Sequence, residues 1–495
     1  MEPILTESNR RRVLETITPT QKELDLQRSV IDSLILALAH HPSSQLYSYS
    51  FIEAQGSTGK KQTQLRGAAD IDLFVGLIPE DYSEILEKPQ NRKHANLDLL
   101  MNNMVKNWFK PAVTELDTSN IQRAFSQHPY LSLRMMGLEI DILGCFDIDT
   151  KYLSQKGPIT AVDRTVHHTR HIAKLLTDAK RDDARILKSF VRASHAYGDK
   201  CAVGRMGITG VALEILAITS ESLDNSLRAL EELDSKPIDP LNRSLEELKK
   251  ILAFRDDYII LIDPTDHQRN IASSFTPRAY EWVKYRIGQL RQASINNNNN
   301  EVLDIMLESP IPIEPLPEWL MEHAFSWEFK SDGSRHYTIL RDKLYRVASK
   351  VQGTLQTERT GESRFGEVMV EVYFEGDTYS IGLLVENPQI PKYYVRRGPP
   401  VDLVEAAEEF RKSHSEIEER DGFLWTREER QWCSPKELVE SFLEDNRVQG
   451  LERIYDTSHV SQKVLNVLYR YVLPVEHSFL EKITKVKDGD LEFPQ

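Results

Sequence analysis

The chain has 495 residues, enough for about three or four domains at roughly 100–200 residues each. Hydrophobic residues make up 40% and charged residues 28%, the balance of a folded soluble protein and not of a disordered one. With 62 basic against 76 acidic residues the formal net charge is −14, which excludes binding of nucleic acid through overall basicity but not through local patches.

Cys145, Cys201 and Cys433 are too few and too scattered for a disulfide framework or a structural zinc site. Residues 1–12 carry no apolar signal core, and the longest apolar run, Leu34–Ala39, is far below the ~20 residues of a bilayer span. The cytoplasm is the expected address.

Thr20 and Glu23 have the spacing of a capping box, and Leu24, Val30, Ile31, Leu34, Ile35 and Leu38 follow at helical intervals. A helix is expected over 21–40, then a strand over 48–53. Gly56-Ser57-Thr58-Gly59-Lys60-Lys61-Gln62-Thr63 and Leu65-Arg66-Gly67 read as a cationic, glycine-punctuated loop. It leads into a strand over 70–75. A hairpin is expected over 131–135 and 138–143 with Gly137 at the turn, then mostly helix from 163 to 290. Asn296–Asn300 reads as an exposed linker or loop tip. Strands are expected over 327–329, 367–374 and 378–385, and helices over 435–444 and 461–471. The architecture is mixed α and β, with at least two sheets separated by a helical region.

Chemistry concentrates in Asp70 and Asp72 on one strand and Glu139 and Asp141 on another. Strand side chains alternate faces, so each pair projects from one face while Ile71, Leu73, Ile140 and Ile142 turn the other way. Three or four carboxylates brought together repel one another unless divalent cations neutralise them. An oxygen-only set suits Mg²⁺, and two ions about 3.5–4 Å apart can clamp an in-line phosphoryl displacement. Gly56 and Ser57 would hold a triphosphate through N–H groups and a hydroxyl, with Lys60, Lys61 or Arg66 neutralising its charge. A lone Asp-x-Asp is most often the solvated face of an edge strand. The Gly-Ser pair 14 residues upstream and the second acidic strand outweigh that reading here.

This pattern, GS…LRGAADIDLF followed by HPYLSLRMMGLEIDILGCF, resembles the head of archaeal-type (class I) CCA-adding enzymes, the tRNA nucleotidyltransferases. The resemblance continues through AVDRTVHHTRHI (161–172), ILKSFVRASHAYG (186–198), GITGVALEIL (207–216), IDPTDHQRNIA (262–272) and YYVRRGPPV (393–401), in the family's order and over most of the chain. It implies an α+β multidomain fold: a polymerase β-like nucleotidyltransferase head with a mixed sheet (1–160), a helical neck with the nucleotide pocket (161–300), an α/β body in two parts (301–352 and 436–495) and a tail that contacts tRNA (353–435). By resemblance, Asp70, Asp72 and Asp141 are the catalytic residues and hold two Mg²⁺ ions. Gly56, Ser57, Lys60, Arg66, Thr165, His168, Lys188, Tyr197 and Arg269 bind the nucleotide, and Arg396 and Arg397 contact tRNA. The substrates implied are ATP, CTP and the tRNA 3′ end, and a homodimer is compatible with the family.

Without the resemblance, Lys188 reads as an exposed helix lysine, Tyr197 as a core residue, and Arg396 and Arg397 as an exposed turn. His167, His168 and His171 form HHxxH, which lacks the carboxylate of a zinc-protease motif. The family's loop reads GSxARGT; here it is GSTGKKQT, one residue longer to Asp70, with Lys60 or Lys61 in place of the arginine. That loop also resembles the 2′-5′ oligoadenylate synthases and bacterial makers of nucleotide second messengers, which is the alternative function. A catalytically silent tRNA-binding protein is a third, and the intact aspartates argue against it. The local charge supports a phosphate site in the neck: residues 151–200 hold 11 basic and 5 acidic residues, whereas 401–450 hold 7 basic and 14 acidic.

Overall fold

The computed structural model describes residues 3–125, 128–455 and 459–484. Residues 485–495, which end the second body segment read from the sequence, lie outside the described residues, as do 126–127 and 456–458. The chain divides into two compact units, one formed by 1–201 and 206–309, the other by 202–205 and 310–495.

The first unit is built on a five-stranded sheet of β1 (Tyr49–Gln55), β2 (Asp70–Leu77), β3 (Thr118–Phe125), β4 (Pro129–Met135) and β5 (Leu138–Phe146). The strand order is β1-β2-β5-β4-β3, and only β2 and β5 run parallel. One face is the main core: Ile71, Leu73, Val75, Ile140 and Ile142 are buried against Leu34 and Leu38 of the helix Gln21–His40. That helix begins at the expected capping box, with Thr20 accepting from the Glu23 amide and Glu23 accepting from the Thr20 amide. On the opposite face Phe74, Leu143 and Cys145 are covered by Val166 of the helix Asp163–Leu175. The carboxylates occupy the strand beginnings on this second face.

The β4–β5 hairpin turns at Met136 and Gly137, both with positive φ (51° and 82°), the backbone a two-residue turn needs to match strand twist. Helices Asp178–Ala193, Gly210–Thr219 and Pro277–Ile295 complete the unit. The expected helical stretch is interrupted by a small hairpin of β6 (Ile262–Asp263) and β7 (Asp266–Asn270), where the Asp263 carboxylate accepts from the Thr265 amide and closes the turn around Pro264. The asparagine run is exposed but is not a linker. Asn296 ends one helix, Asn297 takes positive φ, and Asn298 caps the helix Asn299–Met306, so the run makes a tight helix–helix corner. Asn tolerates the left-handed region and caps well, which is why the composition suits this corner.

The second unit holds a four-stranded antiparallel sheet in the order β14-β8-β10-β9, from β8 (Ala324–Ser331), β9 (Val368–Glu375), β10 (Thr378–Val385) and β14 (Leu451–Ile454). Leu340, Leu344, Ala348, Val351 and Leu355 form the buried stripe of the helix Tyr337–Gln356 against it. A separate three-stranded sheet joins β11 (Tyr393–Pro400), β12 (Ile417–Arg420) and β13 (Phe423–Glu429) in the order β11-β13-β12. Among the described residues no helix is long and apolar enough to cross a membrane.

Candidate active site

The parallel pairing of β2 with β5 sets Asp70 beside Glu139 and Asp72 beside Asp141. Burial, then the neighbouring Asp141 and Asp70, push the Asp72 carboxyl up to about 7. Asp141 is raised to about 6 by burial, although the Ser132 hydroxyl holds it down, and Asp70 is raised by burial as well. Glu139 behaves differently. Its hydrogen bond from Arg134 (2.5 Å) holds it below the usual range, with Lys200 3.6 Å away. The fourth carboxylate is thus neutralised by the protein, and three remain in need of positive charge.

Those three are hard oxygen donors in adjacent register, the set that Mg²⁺ takes with water and phosphate completing its shell. Among the described residues no three His, Cys, Asp or Glu side chains already converge as a finished ligand set. Asp72 and Asp141 are register neighbours and Asp70 lies two residues before Asp72 on the same face, so these three are the residues that would hold such an ion. Gly56 adds a second sign of fit: its φ is +63°, and a Cβ there would run into the Asp72 carboxylate. The backbone therefore passes the acidic group more closely than any other residue type allows.

Asp70 and Ser57 line a cleft of about 610 Å³ together with Glu139, Arg192, Tyr197 and Lys200. Burial raises the Tyr197 phenol well above its ordinary value, so it stays a neutral donor on the cleft wall.

Behind Ser57 the loop is held from the rear. The Thr63 amide donates to the Ser57 carbonyl (3.0 Å). Three successive carbonyls, of Lys61, Gln62 and Thr63, accept from Arg181 (3.1 Å), Arg185 (2.7 Å) and Lys188 (3.1 Å) on the helix 178–193. Lys188 is buried, and its ammonium also meets Thr63 Oγ1 (2.9 Å) and Glu214 (2.6 Å). It stands behind the loop and does not line the cleft. Lys60 does not line it either; it pairs with Glu53 at 3.1 Å on the exposed side. Arg66 donates to the Thr18 carbonyl at 2.9 Å and is likewise outside the cleft lining. Lys61 is the loop cation whose charge favours ionised Asp72.

Thr165, His168 and Arg269 belong to a different cluster. Thr165 sits in the first turn of the helix 163–175. His168 is buried and meets Asp263 at 2.5 Å, and Arg269 reaches the same carboxylate oxygen at 3.5 Å. Arg164 pairs with Asp266 at 2.8 Å beside them. Burial alone would raise Asp263, yet the His168 contact and the Thr265 donors pull it down to about 2. The loop Asp263-Pro264-Thr265-Asp266 is thereby docked on the helix, and none of these three residues lines the 610 Å³ cleft. His167 and His171 line another hollow and form no metal cluster among the described residues.

In the second unit the expected turn around Arg396 and Arg397 is the strand β11. Arg396 pairs with Glu428 of β13 at 2.6 Å, whereas the exposed Arg397 lays its guanidinium over the Phe423 ring at 3.5 Å.

Residues 182–294 match the family model of the tRNA nucleotidyltransferase second domain. The CCA-adding enzyme of Sulfolobus acidocaldarius is 25% identical over 434 residues, covering 88% of each chain. That of Methanothermobacter thermautotrophicus is 26% identical, over 82% of this chain and 81% of its own. The Thermococcus gammatolerans enzyme reaches 30% identity over 58% of this chain and 56% of its own. This chain is similar over most of its length to archaeal CCA-adding enzymes. Among solved structures, that of CdnC from E. coli MS115-1 with ATP is similar over 61% of this chain and 96% of its own, at TM-score 0.42 and 15% identity.

Two further residues hold the loop, and the sequence assigns neither of them a role. Glu214 is fully buried between Lys61 and Lys188, each at 2.6 Å, and Thr63 also donates to it. A lone carboxylate in the otherwise apolar GVALEIL stretch was the available signal for Glu214; Thr63, inside a polar loop, had none.

Proposed function

We propose that this chain adds CMP and AMP, from CTP and ATP, to the 3′ end of tRNA without a nucleic-acid template, in the cytoplasm. The observation that carries the reading is the parallel register that sets Asp72 beside Asp141 on the strand pair whose Asp70 lines a cleft together with Ser57; Asp72 and Asp141 themselves do not line it. Mg²⁺ ions bound to Asp70, Asp72 and Asp141 would neutralise the triphosphate and lower the cost of ionising the attacking hydroxyl. Ser57 faces the triphosphate with its amide and hydroxyl, and the loop behind it is braced by the helix 178–193. Tyr197, held protonated, offers a donor on the opposite wall. The 3′-oxygen forms its bond to the α-phosphorus, the bridging P–O bond breaks, and pyrophosphate leaves.

The test supplies purified protein with Mg²⁺ and labelled CTP or ATP, with and without tRNA that ends at the discriminator base. Label is expected in tRNA, CMP first and AMP last. Acid-soluble oligonucleotides made without tRNA would replace this reading with a second-messenger synthase, and tRNA binding without turnover would leave a silent binder.

A further inference from the structure

The carboxylate that ties the loop down is outside the set of groups that face substrate. Glu214 is 1% exposed and sits between two buried lysines, Lys61 at 4% and Lys188 at 2%. One of its oxygens accepts from Lys61 and the other from Lys188, each at 2.6 Å, and the second oxygen also accepts from the Thr63 hydroxyl. Lys188 closes the ring by donating to the Thr63 hydroxyl at 2.9 Å. The four groups come from the loop and from two helices, 178–193 and 210–219, separated by up to 153 residues in sequence.

Such a buried ionic cluster is an inefficient way to stabilise a fold, because an apolar set of the same volume is often as stable or more so. What it supplies is geometry. The loop it holds contains Gly56, Gly59 and a left-handed Gln62, and would otherwise keep much of its conformational freedom. The tie is transmitted: the Thr63 amide that follows the clamp donates to the Ser57 carbonyl at the cleft. Lys61, at the other oxygen of Glu214, is the cation that favours ionised Asp72.

We propose that Glu214 is a positioning residue for nucleotidyl transfer: by gripping Lys61, Thr63 and Lys188 together it sets where Ser57 and the Lys61 charge stand relative to Asp72. The proposal rests on the reading of the cleft as a nucleotide triphosphate site. It also assigns Lys188 a role through Glu214 and Thr63, behind the loop and not at the phosphates.

Glu214→Gln keeps the shape and one acceptor but removes the charge that both lysines need. On folded protein, checked by circular dichroism and a thermal melt, KM for CTP and ATP should rise roughly tenfold and kcat fall roughly tenfold, as loop misplacement of an ångström predicts. Glu214→Asp should recover part of both. Affinity for tRNA, measured by filter binding without nucleotide, should not move. Should Glu214→Gln fail to fold, the triple variant Lys61→Met/Glu214→Leu/Lys188→Met removes both ion pairs and leaves neither buried lysine uncompensated; the same kinetic losses are expected from it. A lower melting temperature with unchanged KM and kcat would overturn the proposal, and so would an equal loss of tRNA affinity. Binding of Mg²⁺–ATP by calorimetry separates the two levels. If wild type binds Mg²⁺–ATP but transfers nothing to tRNA, the function is wrong, while weakened binding in Glu214→Gln still supports the positioning role. If wild type binds no Mg²⁺–ATP, the cleft reading and this proposal both fall.

Discussion

Asp72 and Asp141 lie side by side in a parallel strand pair, and after burial itself Asp141 is the main group that raises the cost of ionising Asp72. Neighbouring Glu139 escapes this because Arg134 and Lys200 compensate it. The protein has therefore neutralised one of its four clustered carboxylates and left three for a cation. Such an arrangement is unfavourable for the fold by itself, and a cation bound there would relieve the cost.

That cost can be measured. A carboxyl whose folded pKa lies above its unfolded value contributes its stability below the unfolded pKa and loses it as pH rises through the folded one. For Asp72 the window runs from about 3.8 to about 7. Asp72→Asn has no such loss, so at pH 7.5 with chelator it should be more stable than wild type by about 2 kcal/mol, a figure reduced for solvent screening. Added Mg²⁺ should raise the wild-type Tm and leave the variant's nearly unchanged, while nucleotide addition falls by ~10³-fold or more. A variant less stable than wild type without metal would refute the electrostatic account.

Gly56→Ala probes the same centre from the backbone side. The new methyl would sit at φ +63° and meet the Asp72 carboxylate. The expected cost is about 1–2 kcal/mol of stability, from the left-handed conformation alone. Turnover should fall by more than ~10-fold, because a shift of either partner moves Ser57 against Asp72. Urea melts and steady-state kinetics on the folded variant check both, and full activity would show that the close approach is not needed.

Local and alternating patterns are readable from the chain; of the distant pairings, the one between the two acidic strands is expected from their carboxylates and the family resemblance, and its parallel sense is not. The Thr20–Glu23 capping box and the inward Ile71, Leu73 and Val75 follow from rules that span a few residues. The parallel placement of β2 beside β5 depends on a crossover of some 60 residues that no local signal encodes. Arg396 and Arg397 fit an exposed turn almost as well as a tRNA contact, and they lie on the strand β11. Its outward Tyr393, Val395 and Arg397 alternate with half-buried Tyr394 and Arg396, a pattern in which charge and aromatics obscure the period. The resemblance places Lys188 and Tyr197 together at the nucleotide. Their separation, one behind the loop and one on the cleft wall, depends on Glu214 and Thr63.

Asp163, in the AVDRT segment, gives a pH dependence away from the metal site. Its fully buried carboxylate accepts from the Phe146 amide (2.8 Å), the Thr160 amide (2.6 Å) and the Thr160 hydroxyl (2.6 Å), tying the end of β5 to the helix 163–175. Burial still wins and lifts it to about 6. Its contribution should thus be intact below about 4 and lost as pH climbs to about 6. Asp163→Asn will carry a constant penalty from facing an amide toward the Thr160 N–H. The stability difference should nevertheless move in the variant's favour by about 2 kcal/mol between pH 4 and 6.5. Guanidinium titrations at several pH values test this, and parallel curves would refute it.

Arg396 and Arg397 separate the two meanings of a basic pair. Arg396 is half-buried, paired with Glu428 at 2.6 Å and packed 5.7 Å from the Phe410 ring, so its charge is already used within the sheet. Arg397 is exposed and stacked at 3.5 Å on Phe423, which fixes its guanidinium while leaving its edge toward solvent. A stacked arginine with a presented edge is suited to phosphate or base contact. Arg397→Ala should weaken tRNA binding several-fold and reduce the slope of log affinity against log salt by about 0.7–0.9, the share of one phosphate. Its Tm should stay within about a degree of wild type. Arg396→Ala should do the reverse, costing up to about 1 kcal/mol through the lost Glu428 pair and ring contact while leaving the salt slope in place. Filter binding over a salt series, alongside thermal melts of both variants, decides between them. A slope change in Arg396→Ala equal to that in Arg397→Ala would mean that the Glu428 pair opens to RNA.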